Sequence, residues 1–382
     1  MNGLIKHIIS SLLYTIPGKK YIILESSPPM SDNTGAVFRK MIEQHWNAQY
    51  KLLWVVDDPE KFRSIRIHHV SFAGTRTSLQ RLRLFFNRCR AAAIVDCNGQ
   101  IKKLNPRTVH LYLTHGSPIK SIRNYYTCDE TTDWILSQAS FFRDINAEEF
   151  HIDPQKLITL GFPRNDQLFS TRANLKAIFG DEFDRFVVWY PTYRQHKNDL
   201  VRTTDISIPV IHDPAVAQAI NHTAAELHTL IVVKPHPAQD LSKIQALSLS
   251  NIRFIDDSLF SQYDITSYEF LAQSDALITD YSSVFFDYLL TDKPIGLTFE
   301  DYEAYAQSPG FAIDTELLRA CAEMLDTPAD FTIFLEQIAS GEDPFFAQRS
   351  QLKYLTNQYT DNRSAQRVLD FLAEQIEKKE QL

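Results

Sequence analysis

Short apolar runs separated by longer amphipathic stretches recur along most of the chain. A run of four to six apolar residues without alternation marks a strand buried on both faces, and the amphipathic stretches between such runs read as crossover helices. The pattern predicts strands over 21–24, 51–56, 91–95, 108–113, 134–136 and 157–160 in the first half. In the second half it predicts strands over 186–189, 229–233, 252–254, 276–279 and 294–297. Helical spacing covers 36–45, 214–228, 267–273 and 283–290. Residues 361–379 read as one amphipathic helix through Ala365, Val368, Leu369, Phe371 and Leu372. Strand regularly followed by helix is the mark of an α/β chain with mainly parallel sheets.

One transition in this pattern carries chemistry. In "LITDYSSVFFDYLL" (277–290) a buried strand passes into a buried helix through Asp280, Tyr281, Ser282 and Ser283. A single Ser there is explained as a helix cap. Two adjacent hydroxyls at a helix start also suit an anion, because free N–H groups and the helix dipole favour negative charge.

At 382 residues the chain suggests two domains of ordinary size. It has no repeats and no Gly- or Ser-rich linker, and contains only 11 Gly, so it has little loose loop. The boundary is expected between "LGFPRND" (160–166) and the strand starting at Phe186. This gives an N-terminal Rossmann-like domain over 1–170, a second over 171–345, and a C-terminal helical segment over 346–382 packing back on the first domain. Two doubly wound domains bind ligands at the carboxyl ends of their strands, and facing each other they would form a cleft.

A net charge of −8 argues against a nucleic-acid binder, whereas an anionic small molecule fits if cations gather at one site. The four cysteines (Cys89, Cys97, Cys128 and Cys321) lack C-x-x-C spacing, so no zinc site or disulfide framework is suggested and a cytoplasmic setting fits. No uncharged apolar run approaches the roughly 20 residues of a membrane span. The N-terminal "MNGLIKHIISSLLYTIPGKK" places Leu4, Ile5, Ile8, Ile9, Leu12 and Leu13 on one helical face. It has no A-x-A-like cleavage site and reads either as a helix packed on its own domain or as one lying on a membrane surface beside Lys6, Lys19 and Lys20.

Four predicted strands end in unusual polar residues: His115-Gly116-Ser117-Pro118, Pro191-Thr192-Tyr193-Arg194, Lys234-Pro235-His236-Pro237, and Asp280 to Ser283. A lone His is more often structural than catalytic, but strand mouths are where this fold class places ligands. Arg194, Lys234, His236, Ser282 and Ser283 could together surround a phosphate. Asp280 is a poor direct phosphate ligand because of its charge, and suits fixing the turn through backbone hydrogen bonds.

These segments resemble the CDP-glycerol glycerophosphotransferase family of teichoic acid primases and polymerases. The resemblance rests on "ESSPPMSDN" (25–33), "LTHGSPIKSI" (113–122), "GFPRND" (161–166), "YPTYR" (190–194), "VVKPHP" (232–237), "ITDYSSVFFDYLLTDKPI" (278–295) and "DNRSAQRV" (361–368), in family order. It implies a GT-B-type fold with the nucleotide held mainly by the second domain. It also implies transfer of glycerol phosphate from CDP-glycerol to a hydroxyl of a lipid-linked teichoic-acid-like or capsular polymer, with release of CMP. His115 matches the family's catalytic base. His236, Ser282 and Ser283 match positions around the donor phosphates, and Arg194 matches a basic position near them. Gly116, Ser117, Arg164 and Asp280 fall in the same motifs as supporting residues. The family commonly reads Trp-His-Gly-Thr where this chain has Thr114-His115-Gly116-Ser117, and Tyr193 replaces a Trp. A lipid-linked acceptor implies a peripheral enzyme on the inner face of the cell membrane, with no cofactor or metal.

Three other functions are compatible with parts of this sequence. A GT-B enzyme using CDP-ribitol or a nucleotide sugar would share the fold. A metal-dependent phosphohydrolase would use His115, His236, Asp240 and Asp280 as ligands, but H-x-H and H-E-x-x-H motifs are absent. A non-catalytic polymer-binding module would have no use for His115 together with Ser282 and Ser283.

Overall fold

The computed structural model describes residues 3–99, 101–192, 208–236 and 247–381, with only the backbone path for 3–8. The chain forms two units. The first comprises Met1–Ser117, Tyr126–Asp166 and Asp361–Leu382, and the second comprises Pro118–Tyr125 and Gln167–Thr360.

In the first unit the apolar runs become strands β1 (Tyr21–Glu25), β2 (Lys51–Val55), β3 (Val70–Ala73), β4 (Ala91–Asp96), β5 (Val109–Tyr112), β6 (Trp134–Ser137) and β7 (Leu157–Thr159). They lie in the order β3-β2-β1-β4-β5-β6-β7, every pair parallel. The chain runs outward from β1 to β3, then restarts at β4 on the other side of β1. The β1–β4 junction is therefore the topological switch point, where Glu25 lies in register with Asp96. Strand β3 has no counterpart in the hydrophobic pattern, because an edge strand of four residues with Ser71 exposed lacks a continuous apolar run.

One face of this sheet packs against the helices Asp32–Glu43 and Ser364–Glu380 through Val37, Phe38, Met41, Val368, Leu369 and Leu372. Phe38 meets Trp54 edge-on at 5.5 Å, and Phe371 meets Trp134 in the same way at 5.4 Å. The terminal helix is fastened at its start by Asp166, whose two carboxylate oxygens accept from the backbone N–H groups of Ser364 and Ala365 at 2.8 Å each. Burial pushes the Asp166 carboxyl up to about 6, against these bonds. The opposite face of the sheet, with Ile23, Leu53 and Ile94, is covered by the helix Ser78–Cys89 through Leu84. Thr77 and Gln80 form a reciprocal capping box at the start of that helix. The first helix, Gly3–Tyr14, packs against it, burying Ser10 and Tyr14 but leaving Leu12 exposed.

The second unit contains β8 (Arg185–Trp189), β9 (Thr229–Val233), β10 (Ile252–Phe254), β11 (Ala276–Thr279), β12 (Ile295–Leu297) and β13 (Glu323–Met324). Their order is β10-β9-β8-β11-β12-β13, again parallel throughout. The switch point falls between β8 and β11. Helices Pro214–Glu226 and Pro328–Ser340 bury Ile220, Phe331, Phe334 and Leu335 against the sheet residues Val187, Trp189, Ile231 and Ile278. Gly296 on β12 lies so close to Leu325 that an added Cβ would approach its side chain to 2.4 Å.

Three boundaries differ from the sequence expectation. The units divide at Asp166, earlier than 170, because Asp166 belongs to the cap of the terminal helix. Residues 118–125 join the second unit, where Lys120 bridges to Phe311 and Ser121 N–H donates to the Gly310 carbonyl at 3.0 Å. The segment 346–382 also splits. Helix Phe346–Thr356 stays with the second unit, held by Lys353 on Asp292 and by Arg349 on Asp343, and only 361–382 returns to the first.

Candidate active site

His115 stands two residues beyond the buried segment that continues β5, on a loop whose backbone is unusual. Thr114 has φ 52° and Gly116 φ 150°, so the chain turns sharply on both sides of an exposed imidazole. The loop is held from several directions. Asn33 Nδ2 donates to the carbonyls of Leu113 and Thr114 at 3.3 and 3.1 Å, and Thr114 Oγ1 donates to the Leu136 carbonyl at 3.3 Å. Ser117 Oγ donates to Gln138 Oε1 at 2.6 Å, and the Arg164 guanidinium donates to the His115 carbonyl at 2.7 Å. Arg164 pairs in turn with Asp32 at 2.7 Å. Asp32 and Asn33, residues 113–117 and Arg164, far apart in sequence, thus converge on one loop of the first unit. Gly35 permits part of this, since a Cβ there would sit 2.3 Å from the Met30 carbonyl oxygen.

The mouth of the β1–β4 switch point holds a group that the sequence reading passed over. Glu25, at the carboxyl end of β1, is only 9% exposed. Burial pushes its carboxyl up to about 7, the nearby Asp96 carboxylate adds to this, and the Asn98 N–H bond at 3.3 Å opposes it. Asp96 itself is fully buried, with both oxygens 3.4 Å from His110 Nε2. The signal was present in "YIILES", an apolar run ending in an acid at the end where ligands bind.

In the second unit the three polar turns leave the carboxyl ends of β9, β8 and β11, which are neighbours in the sheet. Across the β8–β11 switch point, Asp280 accepts from the Thr192 N–H on both oxygens, at 3.0 and 2.9 Å, and from the Thr192 hydroxyl. Thr279 Oγ1 donates to the Tyr190 carbonyl at 2.9 Å beside it. Asp280 is fully buried and works as a tie between two turns. Tyr281 is anchored beneath, stacked on Tyr305 at 4.2 Å and Phe299 at 4.8 Å, with its hydroxyl donating to Asp301 at 3.2 Å. That anchor leaves Ser282 and Ser283 half-buried above it. The capping explanation does not hold for Ser283. It sits in the helical region (φ −59°, ψ −16°), and its side chain makes no bond to the helix Val284–Tyr288.

Lys234 begins the turn after β9, its ammonium 3.0 Å from Asp257 and 5.9 Å from the ring centres of both Tyr190 and Phe260. His236, two residues on, is exposed. Arg194, Tyr193 and Asp240 lie outside the described residues. Among the described residues, no group of three or more His, Cys, Asp or Glu could hold a metal ion.

The family model of CDP-Glycerol:Poly(glycerophosphate) glycerophosphotransferase matches residues 9–374. The chain belongs to this family. It is a CDP-glycerol glycerophosphotransferase. The chain is 26% identical to a teichoic acid glycerol-phosphate transferase of Staphylococcus aureus (strain NCTC 8325 / PS 47), over 91% of this chain and 96% of that protein. It is also 26% identical to a teichoic acid glycerol-phosphate primase of Bacillus subtilis (strain 168), over 72% of this chain and 65% of the primase. The solved structure of the wall teichoic acid polymerase TagF superimposes with a TM-score of 0.70 at 17% identity, covering 98% of this chain and 94% of that one. That likeness shows the shared GT-B-type fold of two doubly wound units.

Proposed function

We propose that this glycerophosphotransferase holds CDP-glycerol at the β8–β11 switch point of its second unit and uses His115 of the first unit as general base. The donor reading is carried by one observation: three hydroxyl- or cation-bearing turns leave adjacent parallel strands at the place where doubly wound sheets bind nucleotides. Ser282 and Ser283 offer hydroxyl donors to the pyrophosphate, and Lys234, His236 and Arg194 offset its charge. In the reaction an acceptor hydroxyl attacks the phosphorus bearing the glycerol. The bond from that phosphorus to the oxygen it shares with CMP breaks, and His115 takes the hydroxyl proton as the new P–O bond forms.

The acceptor is read as a lipid-linked polymer, reached by a peripheral enzyme at the inner face of the membrane. The first unit offers a surface for this. From Lys61 to Val95 the chain carries eight Lys and Arg and no Asp or Glu, against a net charge of −8 for the whole. Within that stretch, Leu79, Leu82 and Phe86 are exposed on one stripe of the helix Ser78–Cys89, with Arg81 and Arg83 exposed beside them. Exposed Leu12 lies on the adjoining first helix. Among the described residues no helix is long and apolar enough to cross a membrane.

A panel of CDP-glycerol, CDP-ribitol and sugar nucleotides, with mass analysis of the product, tests the donor. The same assay on His115→Ala tests the base. Turnover should fall by about 10²–10⁴-fold with CDP affinity unchanged. Near-normal turnover in the folded variant removes His115 from the mechanism.

A further inference from the structure

We propose that Arg164, held in place by Asp32, is a positioning residue for the transfer reaction, fixing the orientation of His115 through its backbone. The inference rests on the reading of His115 as the base.

The loop has a conformation that its own residues do not favour. A β-branched residue with positive φ is a rarity, and such backbone costs about 1–3 kcal/mol unless its surroundings enforce it. Thr114 sits there at φ 52°. Asn33 and Leu136 hold the Thr114 side of the turn through the bonds described above. The peptide that follows His115 is held by Arg164, whose Nη1 donates to the His115 carbonyl at 2.7 Å. The two sides together fix φ and ψ of His115, and with them the direction in which its Cα–Cβ bond projects.

Arg164 is built for this task. It is only 5% exposed, its guanidinium carbon lies 5.3 Å from the centre of the Phe162 ring, and Nη1 also reaches Asp32 Oδ1 at 2.7 Å. Its own N–H donates to Asn33 Oδ1 at 3.1 Å, so one residue, Asn33, is bonded both to the Thr114 carbonyl and to the Arg164 backbone. A buried guanidinium is costly to desolvate and is retained where a planar fork must serve two acceptors at fixed angles, which a lysine cannot do. A carbonyl at the surface could accept from water instead. Using a buried ion pair for it makes sense where the side chain on the same residue must be placed within a fraction of an ångström, as a general base must.

The test measures kcat, KM, CDP affinity and melting temperature for Arg164→Lys and Asp32→Asn, each alone and combined with His115→Ala. Asp32→Asn is nearly isosteric and its side chain is not fully buried, so it serves if Arg164→Lys does not fold. Each single substitution should lower kcat by about 10–100-fold, with KM for CDP-glycerol and CDP affinity changed less than about twofold. In the His115→Ala background the same substitutions should lower the residual turnover by less than about twofold, because no base remains to be placed. A full multiplicative loss in that background, or unchanged kcat in folded single variants, overturns the inference. Full turnover in His115→Ala alone overturns the underlying reading instead, and that result is seen separately.

Discussion

Asp280 and Thr192 are 88 positions apart in sequence, yet both Asp280 oxygens accept from the Thr192 N–H, at 3.0 and 2.9 Å, across the switch point of the second unit. This bond joins the turn after β8 to the turn after β11 and sets how the Ser282–Ser283 segment leaves its strand. Asp280 therefore shapes this corner of the sheet through its hydrogen bonds to Thr192.

Asp280→Ala should be destabilising and should also weaken the donor site. Hydrogen bonds to a charged group contribute about 1.5–3 kcal/mol, and truncation leaves the Thr192 N–H without this acceptor in a half-buried turn. The expected result is a lower denaturation midpoint at unchanged m-value and at least tenfold weaker CDP binding by calorimetry. An unchanged midpoint would show that the two turns are held by other contacts.

Ser282→Ala with Ser283→Ala should leave stability nearly unaltered, since Ser283 makes no cap bond that the fold depends on. Affinity for CDP-glycerol should nevertheless fall, with charge-assisted bonds of about 1.5–3 kcal/mol each setting the scale. Loss of stability without loss of affinity would return these serines to a structural role.

Glu25 makes stability depend on pH. Its folded-state value of about 7 lies above the ordinary carboxyl range, so the folded protein binds this proton more tightly than the unfolded chain. The resulting stabilisation is complete below the ordinary range and is lost as pH rises toward and through about 7. Asp166, raised to about 6, adds a fall of the same sign. Denaturation midpoints measured from pH 4 to 8 should therefore decline, and Glu25→Gln, which stays neutral, should decline less. Parallel curves for the two proteins would show that Glu25 is ionised in the folded state at lower pH.

Membrane attachment should depend on the helix Ser78–Cys89. Replacing Leu79, Leu82 and Phe86 with Ser, or Arg81 and Arg83 with Glu, should reduce sedimentation with anionic liposomes, while added salt should weaken binding of the parent protein. These side chains are exposed, so the fold should tolerate the changes. A chain starting at Lys19 measures the share of the first helix. Binding unchanged in every variant would place the membrane contact elsewhere.

The hydrophobic pattern alone determined that the chain is α/β, and it located eleven of the thirteen strands among the described residues, because a strand buried on both faces must be a continuous apolar run. The two it missed, β3 and β13, are edge strands of four and two residues, too short and too exposed to carry that signature. The order of the motifs was enough to suggest the family and the residues worth testing, His115 and Ser282 among them. Other features were decided only in three dimensions. That Arg164 binds the His115 carbonyl, that Asp280 ties down Thr192, and that Glu25 lies buried beside Asp96 are relations between residues 49, 88 and 71 positions apart. Local propensity and periodicity reach only a few residues along the chain. Which strands become neighbours is set by how each sheet is wound, and within each unit that winding brings distant turns to the same edge of its own sheet.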